Sequence, residues 1–303
     1  MARDLFGYEI EEPPAPKVEP PVSNPSDPFA LPDGNVQIGF SGGRTSGFML
    51  HQLLQRNGAL PERVEVIFSN TGREFDETLE FVAEVGHRWG VRIVWLEYRA
   101  GKPGFEQVGH NSASRAGEPF EALLRKRGML PNVRARFCST ELKIRTAKRY
   151  LIAQGWRRWS AAVGIRADEA HRIRETPLRQ RWRRWHPLAD AGIGRRDVTE
   201  FWRRQPFDLR LPNANGRTPL GNCDGCFLKS ERILARLARD FPLRHEWWER
   251  WEREFKPTTG TAHTWSKRYA RADLRRAVES MPEWAFDDDA DAFCGASDGE
   301  CTG

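Results

Sequence analysis

The sequence predicts an α/β fold, a mostly parallel sheet with flanking helices, followed by a helical C-terminal region. Two observations carry the first part. Short apolar runs at 36–40 (VQIGF), 64–68 (VEVIF) and 91–96 (VRIVWL) have strand length and end in glycine or polar turns. The stretches between them, 46–55 (SGFMLHQLLQ) and 76–89 (DETLEFVAEVGHRW), space their apolar residues as helices do. Strands alternating with helices of this length make right-handed βαβ crossovers and hence a parallel sheet. Helical spacing alone over 228–280 places the remainder in an extension.

In chain order, the first strand runs into Ser41-Gly42-Gly43 and then a helix, with Asp76 as N-cap of the second helix. Residues 97–137 give no periodic signal. A helix is expected over 140–153 (TELKIRTAKRYLIA), a fourth strand over 158–164 (RWSAAVG) and a helix at 197–204 inside an otherwise loop-like, arginine-rich stretch from 165 to 222. No internal repeat is found. The expected organisation is a flexible, proline-rich acidic arm (1–33), an α/β domain (34–227), a helical extension (228–286) and an acidic flexible tail (287–303).

The chain has 303 residues, 30% of them charged, and a mean hydropathy of -0.67. No apolar run approaches the roughly 18 residues of a spanning helix, and the N-terminus lacks the apolar core of a signal peptide, so a cytoplasmic location without a membrane partner is expected. Five cysteines then read as thiols, metal ligands or redox groups rather than as disulfides. The net charge of +6 is unevenly spread: residues 1–33 hold seven acidic and two basic side chains, residues 287–303 hold six acidic and none basic, and the body between carries +17. Such a body suits a polyanionic ligand, a nucleotide or a nucleic acid, or is simply a solvated arginine-rich surface.

The segment SGGRTS, from Ser41 through Gly42, Gly43, Arg44 and Thr45 to Ser46, lies at the carboxyl end of the first strand and the start of a helix, where open α/β sheets bind ligands. Its backbone N–H groups, the helix dipole and the side chains of Arg44, Thr45 and Ser46 would suit phosphate or sulfate. It matches neither the P-loop nor the dinucleotide glycine pattern. SGGRTS resembles the SGGKDS pyrophosphate loop of the adenine nucleotide α-hydrolase superfamily. Four further segments follow in that superfamily's order. Asn70-Thr71-Gly72 with Glu77-Thr78 resembles its DTG and ET element, and GIRADEAHR at 164–172 resembles its GxRxxxSxxR stretch. PLADAGIGRRDVTEFW at 187–202 and LPNANGRTPLGNCDGC at 211–226 resemble its later segments.

Together these cover about residues 36–230 and point to the phosphoadenosine phosphosulfate reductase family, in its iron–sulfur type. The resemblance implies an adenine nucleotide α-hydrolase-like fold. It implies nucleotide binding by the 41–46 loop, by Asn70, Thr71 and Gly72, and by Gly164 and Arg166, and anion binding by Arg172; Lys143 and Arg145, just after Cys138, are similar anion candidates by their place in the chain. Arg44 replaces the family's Lys, Thr45 its Asp and Asn70 the Asp of DTG, so a phosphate-binding cation is kept while a carboxylate is lost.

Cys223-x-x-Cys226 by itself fits a redox pair, half a zinc site or half an iron–sulfur site. In the resembled family an upstream cysteine and this CxxC hold a [4Fe–4S] cluster, which here implies Cys138, Cys223 and Cys226 as metal ligands. Cys294, Cys301 or an exchangeable sulfur would take the fourth position. Zinc, with a histidine such as His186 or His245 as fourth ligand, and no metal at all are the alternatives. Glu300-Cys301 near the C-terminus is similar to the Glu-Cys-Gly of sulfonucleotide reductases, which makes Cys301 the candidate catalytic nucleophile.

Residues 156–204 hold 13 arginines and five tryptophans, a composition that suits nucleic acid, a sulfonucleotide pocket, or a tryptophan core with a solvated rim. Three readings of function follow. The first is reductive sulfonucleotide cleavage with a thioredoxin-type reductant. The second is ATP-dependent sulfur insertion into tRNA or DNA, supplied by a cysteine desulfurase. The third is a nucleotide- or DNA-binding regulator without catalysis.

Overall fold

A computed structural model of the chain describes residues 27–255 and 264–280. The acidic arm up to residue 26, Cys294, Cys301 and the acidic tail lie outside the described residues. The elements run β1 (Asn35–Gly39), α1 (Arg44–Asn57), β2 (Val64–Asn70), α2 (Asp76–Arg88), β3 (Ile93–Tyr98), β4 (Phe105–Val108) and α3 (Glu118–Arg127). After these come a single turn α4 (Phe137–Ser139), a π-helical segment Thr140–Arg145 and α5 (Thr146–Ala153). Next are β5 (Trp159–Ala162), a 3-10 segment Ala167–Arg172, β6 (Trp182–Trp185), α6 (Pro187–Asp190) and α7 (Arg195–Arg203). The C-terminal helices are α8 (Glu231–Asp240), α9 (Pro242–Glu254) and α10 (Arg271–Glu279).

Six strands form one sheet in the order β4-β3-β2-β1-β5-β6, with only the β3–β4 pair antiparallel. Alternation along β1 and β2 sorts the side chains. Val36, Ile38, Val64, Val66 and Phe68 face α1 and α2 in the main core. Ile67, Val94, Leu96 and Trp159 face α5 on the other side. The chain leaves β1 toward β2 and later returns to β1's other edge as β5, so the sheet reverses its winding between β1 and β5. Such a reversal opens a crevice at the carboxyl ends of the two strands.

The expected strands and helices are present with ends shifted by a few residues, and β4, α3, β6, α6 and the 3-10 segment 167–172 are additional to them. The stretch taken as irregular contains β4, a short strand of exposed and half-buried residues, and α3. Pro119 in the first turn of α3 and Gly128 at its left-handed C-cap were legible boundary signals. β6, within the arginine-rich segment, has two tryptophans and two arginines and no alternation of apolar with polar residues. The C-terminal helices share a core with the α/β layers, because Trp247, Trp248, Trp251 and Trp265 cluster with Tyr98, Phe120 and Leu123.

Candidate functional site

The loop 41–46 sits at the β1–β5 crevice. Gly42 has φ +78°, and a Cβ there would lie 2.7 Å from the Thr78 methyl of α2, so the turn is restricted to glycine on two counts. Ser46 shapes it: its Oγ accepts from the Ser41 amide at 3.1 Å and donates to the Gly43 carbonyl at 3.0 Å. The amides of Arg44, Thr45 and Ser46 open a 14-residue helix and have no intrahelical acceptor, which suits an anion. A cavity of about 150 Å³ opens in front of it, lined by Ser41, Ser46, Ser69, Lys143 and Gly164, with Gly39 and Ala161 as its floor.

Arg44 has a different task from the one expected. Its side chain is 6% exposed and is consumed inside the fold. Nε donates to both oxygens of Asp208 at 2.8 and 3.0 Å, Nη1 to Thr218 at 2.9 Å, and Nη2 to the Leu209 and Leu211 carbonyls. The fork geometry of a guanidinium, with five donors, explains why arginine rather than lysine stands here. The cation that the loop was expected to keep for phosphate is therefore a brace to the 208–218 segment.

Thr45 likewise faces inward, its Oγ1 accepting from Arg166 Nη1 at 3.0 Å. Arg166 is 1% exposed and is held by Asp168 and Glu169, and Arg172 pairs with Glu169. Arg145 pairs with the buried Glu141, as do Arg127 and Arg149. Of the candidates Lys143, Arg145, Arg166 and Arg172, the structure brings Lys143 to the cavity.

The Asn70-Thr71-Gly72 loop is closed on itself. Asn70 is fully buried, donates to Glu97 Oε1 at 2.7 Å and to the Ser114 carbonyl at 2.8 Å, and accepts from the Gly72 amide. An aspartate at this place would set two buried carboxylates against each other, so Glu97 accounts for the departure from DTG. Thr71 caps onto Glu74 through both its amide and its hydroxyl at 2.9 Å, and the hydroxyl lies 3.3 Å from Cys223 Sγ.

The cysteine loop is anchored by Asp224, which the sequence reading missed although it lies between the two cysteines. Fully buried, Asp224 accepts from Arg73 at 2.6 Å, Trp248 Nε1 at 2.7 Å and Arg244 at 3.1 Å. A Cβ on Gly225 would lie 2.3 Å from Trp248 Nε1, so the indole takes the room a side chain would need. Arg271, from the last described helix, donates to the Gly225 carbonyl at 2.6 Å, and its buried Nη1 has no hydrogen-bond partner.

Cys138 and Cys223 pack against the same apolar cluster although 85 residues separate them, and Cys226, three residues after Cys223, is buried. Two thiols against one apolar cluster and a third three residues along from Cys223, with Arg271 Nη1 unpartnered, are donors of the type that suits soft metal chemistry. As placed, no three His, Cys, Asp or Glu among the described residues form a metal-holding group. His186 and His245 join no such group; burial is the first cause holding both imidazoles below their usual titration range, and Arg184 adds to it at His186. The two regions meet: Lys143, at the cavity, donates to Asn222 at 3.2 Å, one residue before Cys223.

A mostly parallel sheet with a glycine turn at its winding reversal defines an open α/β protein, the class that binds ligands in that crevice. The sequence profile of the phosphoadenosine phosphosulfate reductase domain matches residues 35–206, and the chain belongs to that family. It is 30% identical over 214 residues to the uncharacterized nin region protein ORF290 of Escherichia phage lambda, covering 67% of this chain and 69% of that protein. It is 24% identical over 242 residues to the uncharacterized protein MJ0066 of Methanocaldococcus jannaschii, covering 77% of this chain and 44% of the relative.

Among solved structures, the phosphoadenylyl-sulfate reductase of Candida auris in its phosphate complex aligns with TM-score 0.39 and 17% identity, over 58% of this chain and 74% of that one. The U34-tRNA thiolase NcsA of Methanococcus maripaludis with its [4Fe–4S] cluster aligns with TM-score 0.34 and 11% identity, over 81% of each chain.

Proposed function

We propose that the protein is an adenine-nucleotide-binding enzyme of sulfur chemistry, and that its reaction is the reductive cleavage of a sulfonucleotide. The adjacency of the cavity to the cysteine loop, through the Lys143–Asn222 hydrogen bond, is the observation that supports this reading. The 41–46 loop would hold the phosphate through the amides that open α1, and Lys143 would offset the charge on the departing phosphate. Cys301, outside the described residues, would attack the sulfur as thiolate while the nucleotide phosphate leaves. A thiol of a thioredoxin-type reductant would then release sulfite, and the pair would end as a disulfide. A [4Fe–4S] cluster on Cys138, Cys223 and Cys226 would contribute its field beside the substrate; zinc is the rival occupant.

The carboxylate-free cavity walls favour a second reading, adenylation of a nucleic-acid oxygen by ATP followed by sulfur delivery from a cysteine desulfurase. Anaerobically purified protein supplied with phosphoadenosine phosphosulfate and thioredoxin should release sulfite, and Cys301→Ser should abolish the release. ATP-to-AMP turnover that requires nucleic acid, without sulfite, would select the second reading, and nucleotide binding without turnover a regulator. Iron and acid-labile sulfide counted on the same sample test the cluster, and zinc at one per chain without sulfide would contradict it.

A further inference from the structure

The nucleotide cavity does not end at the loop. A second hollow of about 80 Å³ continues along the same sheet face and shares Gln37, Ile144, Ala161 and Val163 with the first. α5 packs over β2, β3 and β4, so β1, β5 and β6 wall this groove, with small residues Gly39 and Ala161 beneath. From Gly164 back to Trp159 the groove follows β5 for about 17 Å at roughly 3.3 Å per residue, against about 3.4 Å per nucleotide of a stacked strand.

Its far end is walled by Lys148, Arg184, Trp159 and Trp182. The two indoles stack, with centroids 5.7 Å apart and planes 20° from parallel, and Trp159 Nε1 donates to Gln37 at 3.1 Å. Trp159 is thereby fixed, and Trp182 lies half-buried against it. No carboxylate lines either hollow, and the sequence shows the cause. Residues 142–167 hold seven Lys or Arg and no Asp or Glu, and residues 176–189 hold four Arg and again no acid. Burial pulls the Arg184 guanidinium below its usual pKa.

We propose that this groove seats a single-stranded nucleic acid, with phosphates at Lys148 and Arg184 and an unpaired base against Trp182, its end directed into the nucleotide cavity. The proposal rests on the nucleotide reading of that cavity and deepens the nucleic-acid alternative. Cations follow the phosphates and flat rings accept bases of any sequence.

The test is fluorescence anisotropy of a labelled 12-nucleotide oligothymidylate with the full-length protein at low salt. Lys148→Glu with Arg184→Glu should weaken binding about 30-fold, and Trp182→Ala about 5-fold. The control Arg203→Glu with Arg204→Glu, an equal charge change at exposed positions at the end of α7 and its C-cap, should cost less than about 3-fold. Adenine-nucleotide binding by the groove variants, measured in parallel, should stay within about twofold, which separates a failure of the groove from a failure of the nucleotide site. Equal losses in patch and control variants would overturn the proposal, as would an unaffected patch variant. So would a parent that binds no oligonucleotide, as when the chain's own acidic segment or a protein partner holds this face. If the double charge reversal unfolds the protein, Lys148→Gln and Trp182→Ala carry the same reading.

Discussion

Two loops follow neighbouring strands of this sheet, and both resemble ligand-binding motifs, yet they differ in where their polar groups are directed. After β1, Ser41–Ser46 is stitched by one serine and places Ser41 and Ser46 at a cavity. After β2, Asn70–Arg73 is tied internally to Glu97, Glu74 and Asp224, and it serves as the strut that carries the cysteine loop. The same kind of sequence therefore yields a loop at a cavity in one place and a scaffold in the other. What separates them is the buried acids supplied by distant segments.

If that distinction is right, changes at the second loop should act on stability and changes at the first on ligand affinity. The largest effect is expected for Asp224→Ala, which strands Arg73, Arg244 and the Trp248 indole around a buried void. A loss of about 3–5 kcal/mol in denaturant unfolding is predicted. Asn70→Asp should follow, at about 2–4 kcal/mol, because it sets a second carboxylate against Glu97. That loss should shrink toward pH 5, where one proton shared by the pair restores a donor; a pH-independent loss would break the account of the departure from DTG. Ser46→Ala should cost about 1 kcal/mol of stability while weakening nucleotide binding about tenfold.

The smallest effect concerns pH. Burial holds His245 below its usual value near 6.5, so the folded state prefers it neutral. Its stabilising contribution is present above about pH 6.5 and is lost as pH falls through the depressed folded value. Melting temperature should accordingly drop between pH 7.5 and 5.5, and His245→Gln should be less destabilising, relative to the parent, at the lower pH. A gap between parent and variant that stays constant with pH would refute the assignment.

Much of this was legible in the sequence where local signals decide. Apolar periodicity and glycine turns placed β1, α1, β2, α2 and the loop between Gly39 and Arg44. Tertiary partners were not legible. Arg44 reads as a ligand cation because nothing local announces Asp208 and Thr218, more than 160 residues away. Asn70 reads as a weakened catalytic position until Glu97 is seen beside it. β6 was missed because its two half-buried arginines conceal a strand whose pairing with β5 supplies what its pattern lacks. Position in the fold also sorts the arginines of 156–204. Arg166 and Arg172 are bound up with Asp168 and Glu169, whereas Arg184 stands at the groove.

The central claim is that an adenine nucleotide binds at the β1–β5 crevice and is met there by Lys143. Calorimetric titration of an adenine nucleotide into the parent and Lys143→Ala tests it most directly. The account predicts a loss of affinity of about tenfold or more for Lys143→Ala, with an unchanged melting temperature. Equal affinity in the two proteins would contradict it.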